Sequence, residues 1–234
     1  MALPKMNSSP KYELTIPSTG QHITYRPYLV KEEKVLMIAF ESGDVKQAVR
    51  AISDTLDACI TEDVNLSTLA TFDVEYIFTQ IRSKSVGEKA TVLLACTNCE
   101  TKNEYEFDIS SIEVNVDSEK SNVIELTEGV SVEMQYPQFS KVLNDIGDKN
   151  GVEDGFDTVV SSIKAILTED ERISAVDVTV EELKEFVESL TTEQFSKLLD
   201  FLKALPQIKH DATYDCISCG TNNTQRLAGL RDFL

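Results

Sequence analysis

Four of the five cysteines in this 234-residue chain form two C-x-x-C pairs, Cys96 with Cys99 and Cys216 with Cys219. Two residues between cysteines allow a tight turn that directs both sulfurs at one cation. Two such turns facing each other give a tetrahedral site of four sulfurs, and thiolate ligands in that geometry suit zinc or iron. The spacing therefore predicts one structural metal ion, zinc with iron as the alternative, held by all four residues.

The two pairs are far apart, since Cys216 follows Cys99 by 117 positions. A shared metal would close a loop that contains a whole subdomain, and the entropic cost of closure grows only with the logarithm of loop length. The expected benefit is a clip that holds the C-terminal segment against a central sheet. Two alternatives stay open here: one redox-active pair, or two unrelated reduced pairs. A catalytic metal is not expected, because four thiolates leave no open coordination position.

Other residues give no catalytic pattern. The chain contains no G-x-S-x-G, no phosphate-binding P-loop, no G-x-G-x-x-G and no H-E-x-x-H. A calcium loop starting at Asp145 would place Phe156 where glutamate is needed. His22 and His210 are expected to be surface histidines, and Cys59 a small core residue on a helix. The sequence therefore indicates a protein that is not an enzyme and has no small-molecule substrate.

The N-terminal part of the chain shows a hairpin followed by helices. Apolar residues alternate over residues 12–27, with a turn at Ser18–Gly20, and Pro27 ends the second strand. A short helix is predicted at Lys31–Phe40. A second helix follows Asp44 as its N-cap, and a third begins at Thr71.

Periodicity changes to strands from about residue 91 to 136, where Ile112, Val114 and Val116 also alternate. A loop at residues 148–155 is expected to lie between a short helix and a longer one at Phe156–Leu167. Beyond the cysteine pairs no internal repeat is apparent. Three capping boxes come after the helix expected at Phe156–Leu167: Thr168 with Glu171, Thr179 with Glu182, and Thr191 with Gln194. The last two open amphipathic helices.

These patterns predict an α+β fold. It would have an N-terminal β-hairpin with a helical layer, a central antiparallel sheet, and a helical insertion between the two C-x-x-C knuckles. The expected division is an extended arm at 1–11, a hairpin and helical layer at 12–90, a knuckle and sheet region at 91–137 plus 207–234, and the helical insertion at 138–206.

Composition limits the partners. The formal net charge is -18 and the isoelectric point is about 4.5. Such a surface repels nucleic-acid phosphates and anionic lipids, so neither nucleic acid nor membrane is an expected partner. No segment approaches the ~20 consecutive apolar residues that span a bilayer, and residues 1–6 lack the apolar core of a secretory signal. We expect the chain to be made and kept in a cytosol.

Three strings of sequence, at residues 4–20, 25–36 and 72–82, are distinctive. In these three strings the chain resembles the baseplate hub assembly proteins of T-even-type contractile-tailed bacteriophages. The resemblance covers most of the chain and brings no catalytic residues with it. It implies a late phage protein that acts in the host cytoplasm during assembly, as a hub subunit or as an assembly factor of the chaperone type. Its partners would be other baseplate hub or wedge proteins, and the tail baseplate of the virion is a second location.

Two further features favour binding to proteins. The arm at 1–11 and a free edge of the hairpin at 12–27 offer a place where a partner could add a strand. Tyr25, Arg26 and Tyr28 are residue types that anchor interfaces, although the tyrosines fit core packing equally well. Two other functions remain as alternatives: a zinc-ribbon nucleic-acid or transcription adaptor, and a thiol redox enzyme. The first would need a basic face near the knuckles, and the second a reactive cysteine of low pKa.

Overall fold

A computed structural model describes residues 9–114, 116, 121–141 and 151–229 of the chain. It confirms the α+β class: helices combine with several small antiparallel sheets, and the four cysteines flank a helical region. The described strands form three two-stranded sheets and one four-stranded sheet. The extended region predicted as one central sheet is therefore divided between two of these sheets. No helix of the described residues is both long and apolar enough to cross a membrane.

The N-terminal unit is a hairpin packed on three helices. Strands β1 (Tyr12–Thr15) and β2 (His22–Tyr25) pair antiparallel, and they are followed by α1 (Val30–Glu41), α2 (Val45–Cys59) and α3 (Thr71–Ser85). The Asp44 carboxylate accepts hydrogen bonds from two backbone N–H groups of the first turn of α2, as the sequence predicts for an N-cap. The buried centre of this unit includes Ile16, Ile23, Leu56, Ile77, Phe78 and Ile81.

A buried carboxylate joins the hairpin turn to α3. Asp73 is fully buried and accepts hydrogen bonds from the backbone N–H and the hydroxyl of Ser18, and from the backbone N–H of Ala70. Burial raises the pKa of Asp73, against the effect of these three donors. One side chain thus caps α3 and fixes the turn between β1 and β2.

Two matching hairpins form the second unit. Strand β3 (Lys89–Ala95) pairs with β4 (Lys102–Asp108), and, much later in the chain, β9 (Lys209–Asp215) pairs with β10 (Asn222–Ala228). Both hairpins contribute to one hydrophobic cluster, in which Phe107, Ile109, Ile208 and Leu227 are buried. Residues 90–112 and residues 208–227, which are far apart in the sequence, therefore meet in a common core.

The third unit is a four-stranded sheet covered by helices. Its strand order is β5 (Val123–Thr127), β6 (Val130–Met134), β7 (Ile163–Leu167) and β8 (Arg172–Ser174). Helices α4 (Gly151–Ser162), α5 (Val180–Glu188) and α6 (Thr192–Lys203) pack against it. The capping boxes Thr179–Glu182 and Thr191–Gln194 open α5 and α6 as predicted.

Several local predictions are wrong. The helix expected at Phe156–Leu167 ends at Ser162, because Ile163–Leu167 pairs with β6 instead. Residues 151–155, expected in a loop, lie in α4, while residues 148–150 fall outside the described residues. Thr168 and Glu171 form the turn between β7 and β8, and they do not cap a helix.

The strand expected from Ile112 is not formed by residues 112–114 and 116, the part of it that the structure describes. The chain after β4 makes a 3-10 turn at Ile109–Ser111, and Ile112 is buried beneath it in the second unit. The segment 138–206, expected to be a helical insertion, contributes β7 and β8 as well as helices. The four-part division of the chain by residue ranges stays a prediction.

Candidate metal centre

The two C-x-x-C turns face each other at the ends of their hairpins. Cys96 and Cys99 lie in the turn between β3 and β4, and Cys216 and Cys219 in the turn between β9 and β10. All four Sγ atoms lie within 4.8 Å of one another. The Cys96 Sγ–Cys219 Sγ distance is 3.7 Å, and the Cys99 Sγ–Cys216 Sγ distance is 3.5 Å.

These distances fit a four-sulfur metal site. Zinc–sulfur bonds of about 2.3 Å in a tetrahedron place the sulfurs about 3.8 Å from one another. The cysteines are free thiols, and Cys96 and Cys216 are buried whereas Cys99 and Cys219 are exposed. The four cysteines therefore lie close enough to hold one metal ion, with two ligands on the core side and two towards solvent.

The backbone of both turns is built in the same way. Cys96 N–H donates to Thr101 O at 2.9 Å, and Asn98 N–H points at Cys96 Sγ at 3.4 Å. The second turn repeats both contacts: Cys216 N–H donates to Thr221 O at 2.9 Å, and Ser218 N–H points at Cys216 Sγ at 3.4 Å. Amide groups directed at sulfur favour its anionic form, which is the form that binds metals.

Two asparagines lock the turns together. The amide of Asn103 donates to Thr101 O at 2.7 Å within its own turn, while its Oδ1 accepts from Ile217 N–H of the opposite turn at 2.9 Å. Asn223 does the same in reverse, donating to Thr221 O at 2.7 Å and accepting from Thr97 N–H at 3.0 Å. This exchange of contacts relates the two hairpins by an approximate two-fold axis.

These asparagines are not among the site residues predicted from the sequence, and the expectation of no repeat beyond the cysteine pairs is wrong. Both turns carry the longer pattern C-x-x-C-x-T-x-N, beginning at Cys96 and at Cys216. Strands of seven residues flank both patterns. The signal was therefore present in the sequence, two and four residues beyond each second cysteine.

The surroundings favour the thiolate form of two of the four sulfurs, those of Cys219 and Cys96. The pKa of Cys99 is raised: hydrogen bonds from Thr101 lower it, but the neighbouring sulfurs of Cys219 and Cys216 together with burial outweigh them. Hydrogen bonds from the hydroxyl and backbone N–H of Thr221, with further contributions from Cys99 and Asn98, lower the pKa of Cys219 to about 5. Backbone N–H groups of Asn98 and Cys99 also lower the pKa of Cys96. At least one sulfur of the cluster, that of Cys219, is thus anionic at neutral pH, which suits a cation.

Cys59 behaves differently from the cysteines of the cluster. It is buried in the core of the N-terminal unit, as predicted, and burial raises the pKa of its thiol to about 11. It is therefore a neutral packing residue at physiological pH.

Neither histidine belongs to the cysteine cluster. His22 is exposed, as expected, and its Nδ1 lies 2.9 Å from the Thr15 hydroxyl. The expectation is wrong for His210, which is half-buried. Its ring stacks on Phe107 with centroids 4.8 Å apart, and its Nε2 lies 3.1 Å from the Tyr105 hydroxyl. It thus supports the core beneath the cysteines.

The residues considered as interface anchors serve the core of the N-terminal unit. Tyr25 is buried and Tyr28 is half-buried against the same cluster. The Arg26 guanidinium donates to Pro27 O and Ala58 O and pairs with Glu32 at 3.0 Å. These side chains join the hairpin to α1 and α2. Strand β1 pairs only with β2 within the described part of the chain, while residues 1–8 of the arm lie outside it.

The two turns differ at one backbone position, which allows a test. Glu100 has φ = 59° and its counterpart Gly220 has φ = 71°, both in the left-handed region that favours glycine. We expect Glu100→Gly to raise the free energy of unfolding by about 0.5–1 kcal/mol. The matched variant Gly220→Glu should lower it, although open space surrounds that position. Urea unfolding of both variants measures this, and a destabilised Glu100→Gly protein would contradict the equivalence of the turns.

A known protein family matches nearly the whole of the chain. The family model described as T4 bacteriophage base plate protein matches residues 9–234, which include both cysteine turns and all three units of the fold. No curated protein and no solved structure matches the chain. On the extent of the family match, the chain belongs to the T4 bacteriophage base plate protein family.

Proposed function

We propose that this chain is a non-enzymatic component in the construction of the phage tail baseplate, acting as a subunit or an assembly factor of the central hub. It works through contacts with hub or wedge proteins, late in infection and in the host cytoplasm. The family match over residues 9–234 is the observation that carries this proposal. The hub and assembly roles extend it by the resemblance of residues 4–20, 25–36 and 72–82.

A structural zinc ion is part of the proposal. Cys96, Cys99, Cys216 and Cys219 would hold it, and their sulfur chemistry and separations suit zinc. The ion would supply a cross-link between the β3–β4 and β9–β10 hairpins. With four thiolate ligands it would have no position for a substrate, which agrees with a role in shape rather than in catalysis.

The charge distribution supports a protein partner over a nucleic acid. Two basic residues of the cysteine hairpins are engaged in ion pairs with acids on the same hairpins, which leaves Lys102 and Lys209 without an ion pair among the described residues. Exposed acids lie beside these two lysines, at Glu100, Glu104 and Asp215. Arg226 pairs with Asp211 at 2.8 Å and Lys89 with Glu106 at 2.6 Å. Phosphate binding relies on cations free to replace counterions. The alternative of a zinc-ribbon nucleic-acid adaptor is therefore disfavoured.

Co-purification from infected cells tests the proposed function. We expect the affinity-tagged chain to retain hub or wedge proteins, with no DNA or RNA retained at any salt concentration. The control is an unrelated tagged protein of similar acidity, because a net charge of -18 attracts basic proteins non-specifically. Comparing mature virions with assembly intermediates then separates a hub subunit, present in both, from an assembly factor, present only in intermediates. Retention of no baseplate protein, or salt-sensitive nucleic-acid binding, would contradict the proposal.

A further inference from the structure

Helix α1 presents an apolar face to solvent. Its inner side buries Leu36 and Ala39, whereas Val30, Met37 and Ile38 on the outer side are 78%, 55% and 56% exposed. An α-helix advances 100° per residue, so positions 30, 34, 37, 38 and 41 lie on one side. Large apolar side chains grouped on one exposed helix face are typical of an interaction surface.

Two charged residues share this face, and each is free of ion pairs within the described residues. Lys34 and Glu41 are both exposed, and they are two helical turns apart, about 10 Å along the axis. That separation is too long for a direct pair within one chain. By contrast, Lys31 and Glu32 of the same helix do pair with one another, at 3.2 Å. Lys34 and Glu41 are therefore available to a partner.

The face is complementary to itself. If a second α1 lies antiparallel across it, with the two-fold axis midway between Met37 and Ile38, each Lys34 stands opposite Glu41 of the second copy. In the same arrangement Met37 of each chain meets Ile38 of the other. The ion pair and the apolar contact both occur twice, which is the property of an isologous interface.

The surroundings of α1 suit a second copy despite the high net charge of the chain. The exposed charges from α1 to the end of α2 balance, with the basic residues Lys31, Lys34, Lys46 and Arg50 and the acidic residues Glu41, Asp44, Asp54 and Asp57, while Glu33 is half-buried. A groove of about 320 Å³ lies beside Ile38, between α1 and α2, lined in part by Val35, Ala39 and Ala51. It offers space for a Met37 side chain from the opposite helix.

We propose that this protein forms a two-fold symmetric homodimer through antiparallel packing of α1 on α1. The interface has Met37 and Ile38 at its centre and a Lys34–Glu41 ion pair on each side. A helix of 12 residues is only about 18 Å long, so the interface is small and the dimer is weak and concentration-dependent. This inference is independent of the proposed hub function.

Reversing the charges tests the register. Lys34→Glu places two acids opposite each other and Glu41→Lys places two lysines there, so each variant alone should dimerise at least about tenfold more weakly than the natural chain. An equimolar mixture of the two variants restores both opposite-charge pairs and should recover dimerisation, as should the double variant. Sedimentation equilibrium up to on the order of 100 μM measures the dissociation constants. Circular dichroism checks the fold, which exposed substitutions should leave unchanged.

The outcomes decide between self-association and other uses of this face. Weakening by each single variant together with recovery in the double variant supports the antiparallel register, because parallel packing opposes like charges in the natural chain and in all three variants. Recovery in the mixture shows that the losses come from the charges. A natural chain that sediments as a monomer over the whole range overturns the proposal and leaves the face to a different protein. Unchanged dimerisation of both single variants also overturns it. Met37→Ala provides an independent readout and should weaken the dimer without altering its salt dependence.

Discussion

Replacing Cys216 with serine is expected to abolish stoichiometric metal binding and to lower the free energy of unfolding by about 5 kcal/mol. This magnitude is the chain-entropy contribution of a cross-link that closes a loop of about a hundred residues. Cys216 lies 117 positions beyond its nearest sulfur partner, Cys99. Loss of the metal should therefore release the β9–β10 hairpin before the remainder of the fold, visible as early amide exchange in residues 209–228.

Elemental analysis and chemical unfolding measure the two parts of this prediction. The natural protein should contain one zinc ion per chain, and a chelator should reproduce the effect of Cys216→Ser on stability. Cys59→Ser is the matched control, since it removes a sulfur that lies in the N-terminal core and outside the cluster. It should retain the metal. A purified natural chain with neither zinc nor iron, or a Cys216→Ser protein with unchanged metal content, would contradict the four-sulfur site.

Asp73→Asn should lower the free energy of unfolding by about 2–3 kcal/mol at neutral pH. The carboxylate accepts three hydrogen bonds, from Ser18 N–H, the Ser18 hydroxyl and Ala70 N–H. An asparagine amide directs N–H groups at one or more of these donors and leaves buried polar groups without partners. Ser18→Ala removes only one donor and should cost about 1 kcal/mol.

The contribution of Asp73 to the free energy of unfolding changes with pH in a defined direction. Burial raises its pKa above the unfolded value, so between these two pKa values the folded state binds more protons and stability falls as pH rises. The Asp73→Asn chain should lack this contribution. The free energy of unfolding that it loses relative to the natural chain should therefore be larger at a pH below the pKa of Asp73 in the unfolded chain than at a pH above its pKa in the folded chain. Urea unfolding from pH 3 to pH 7 measures the difference. Asp177→Asn, at an exposed position, is the control, and an Asp73→Asn protein as stable as that control would contradict the role of Asp73.

Local signals in the sequence predicted local structure well. The N-cap Asp44 and the capping boxes at Thr179 and Thr191 indicate the residues at which helices begin. The side chains there form hydrogen bonds with backbone N–H groups within three residues. The C-x-x-C spacing similarly predicted turns that direct two sulfurs the same way. The prediction that the two turns meet rested on chemistry, since four thiolates suit one ion. The distances between the four sulfurs agree with this prediction.

The wrong predictions concern residues whose structure is decided by contacts with residues far away in the sequence. Ile163–Leu167 is a short apolar run that fits a helix or a buried strand equally well, and only its pairing with β6 makes it a strand. His210 appeared ordinary because Phe107 and Tyr105, its partners, are about a hundred positions away. The cross-contacts of Asn103 and Asn223 depend on two hairpins meeting, which no local pattern encodes.

The position of the cysteine turns has a consequence for the order of folding. Each turn holds two of the four cysteines, and the contacts between the turns join residues 114 to 127 positions apart. Contacts of such high sequence separation form slowly, because the chain between them must first become compact. Local elements such as α5 and α6 can form early, whereas the junction of the turns depends on completion of everything between them. Capture of a metal ion by these four cysteines would thus be coupled to the last stage of folding and would mark a chain as mature.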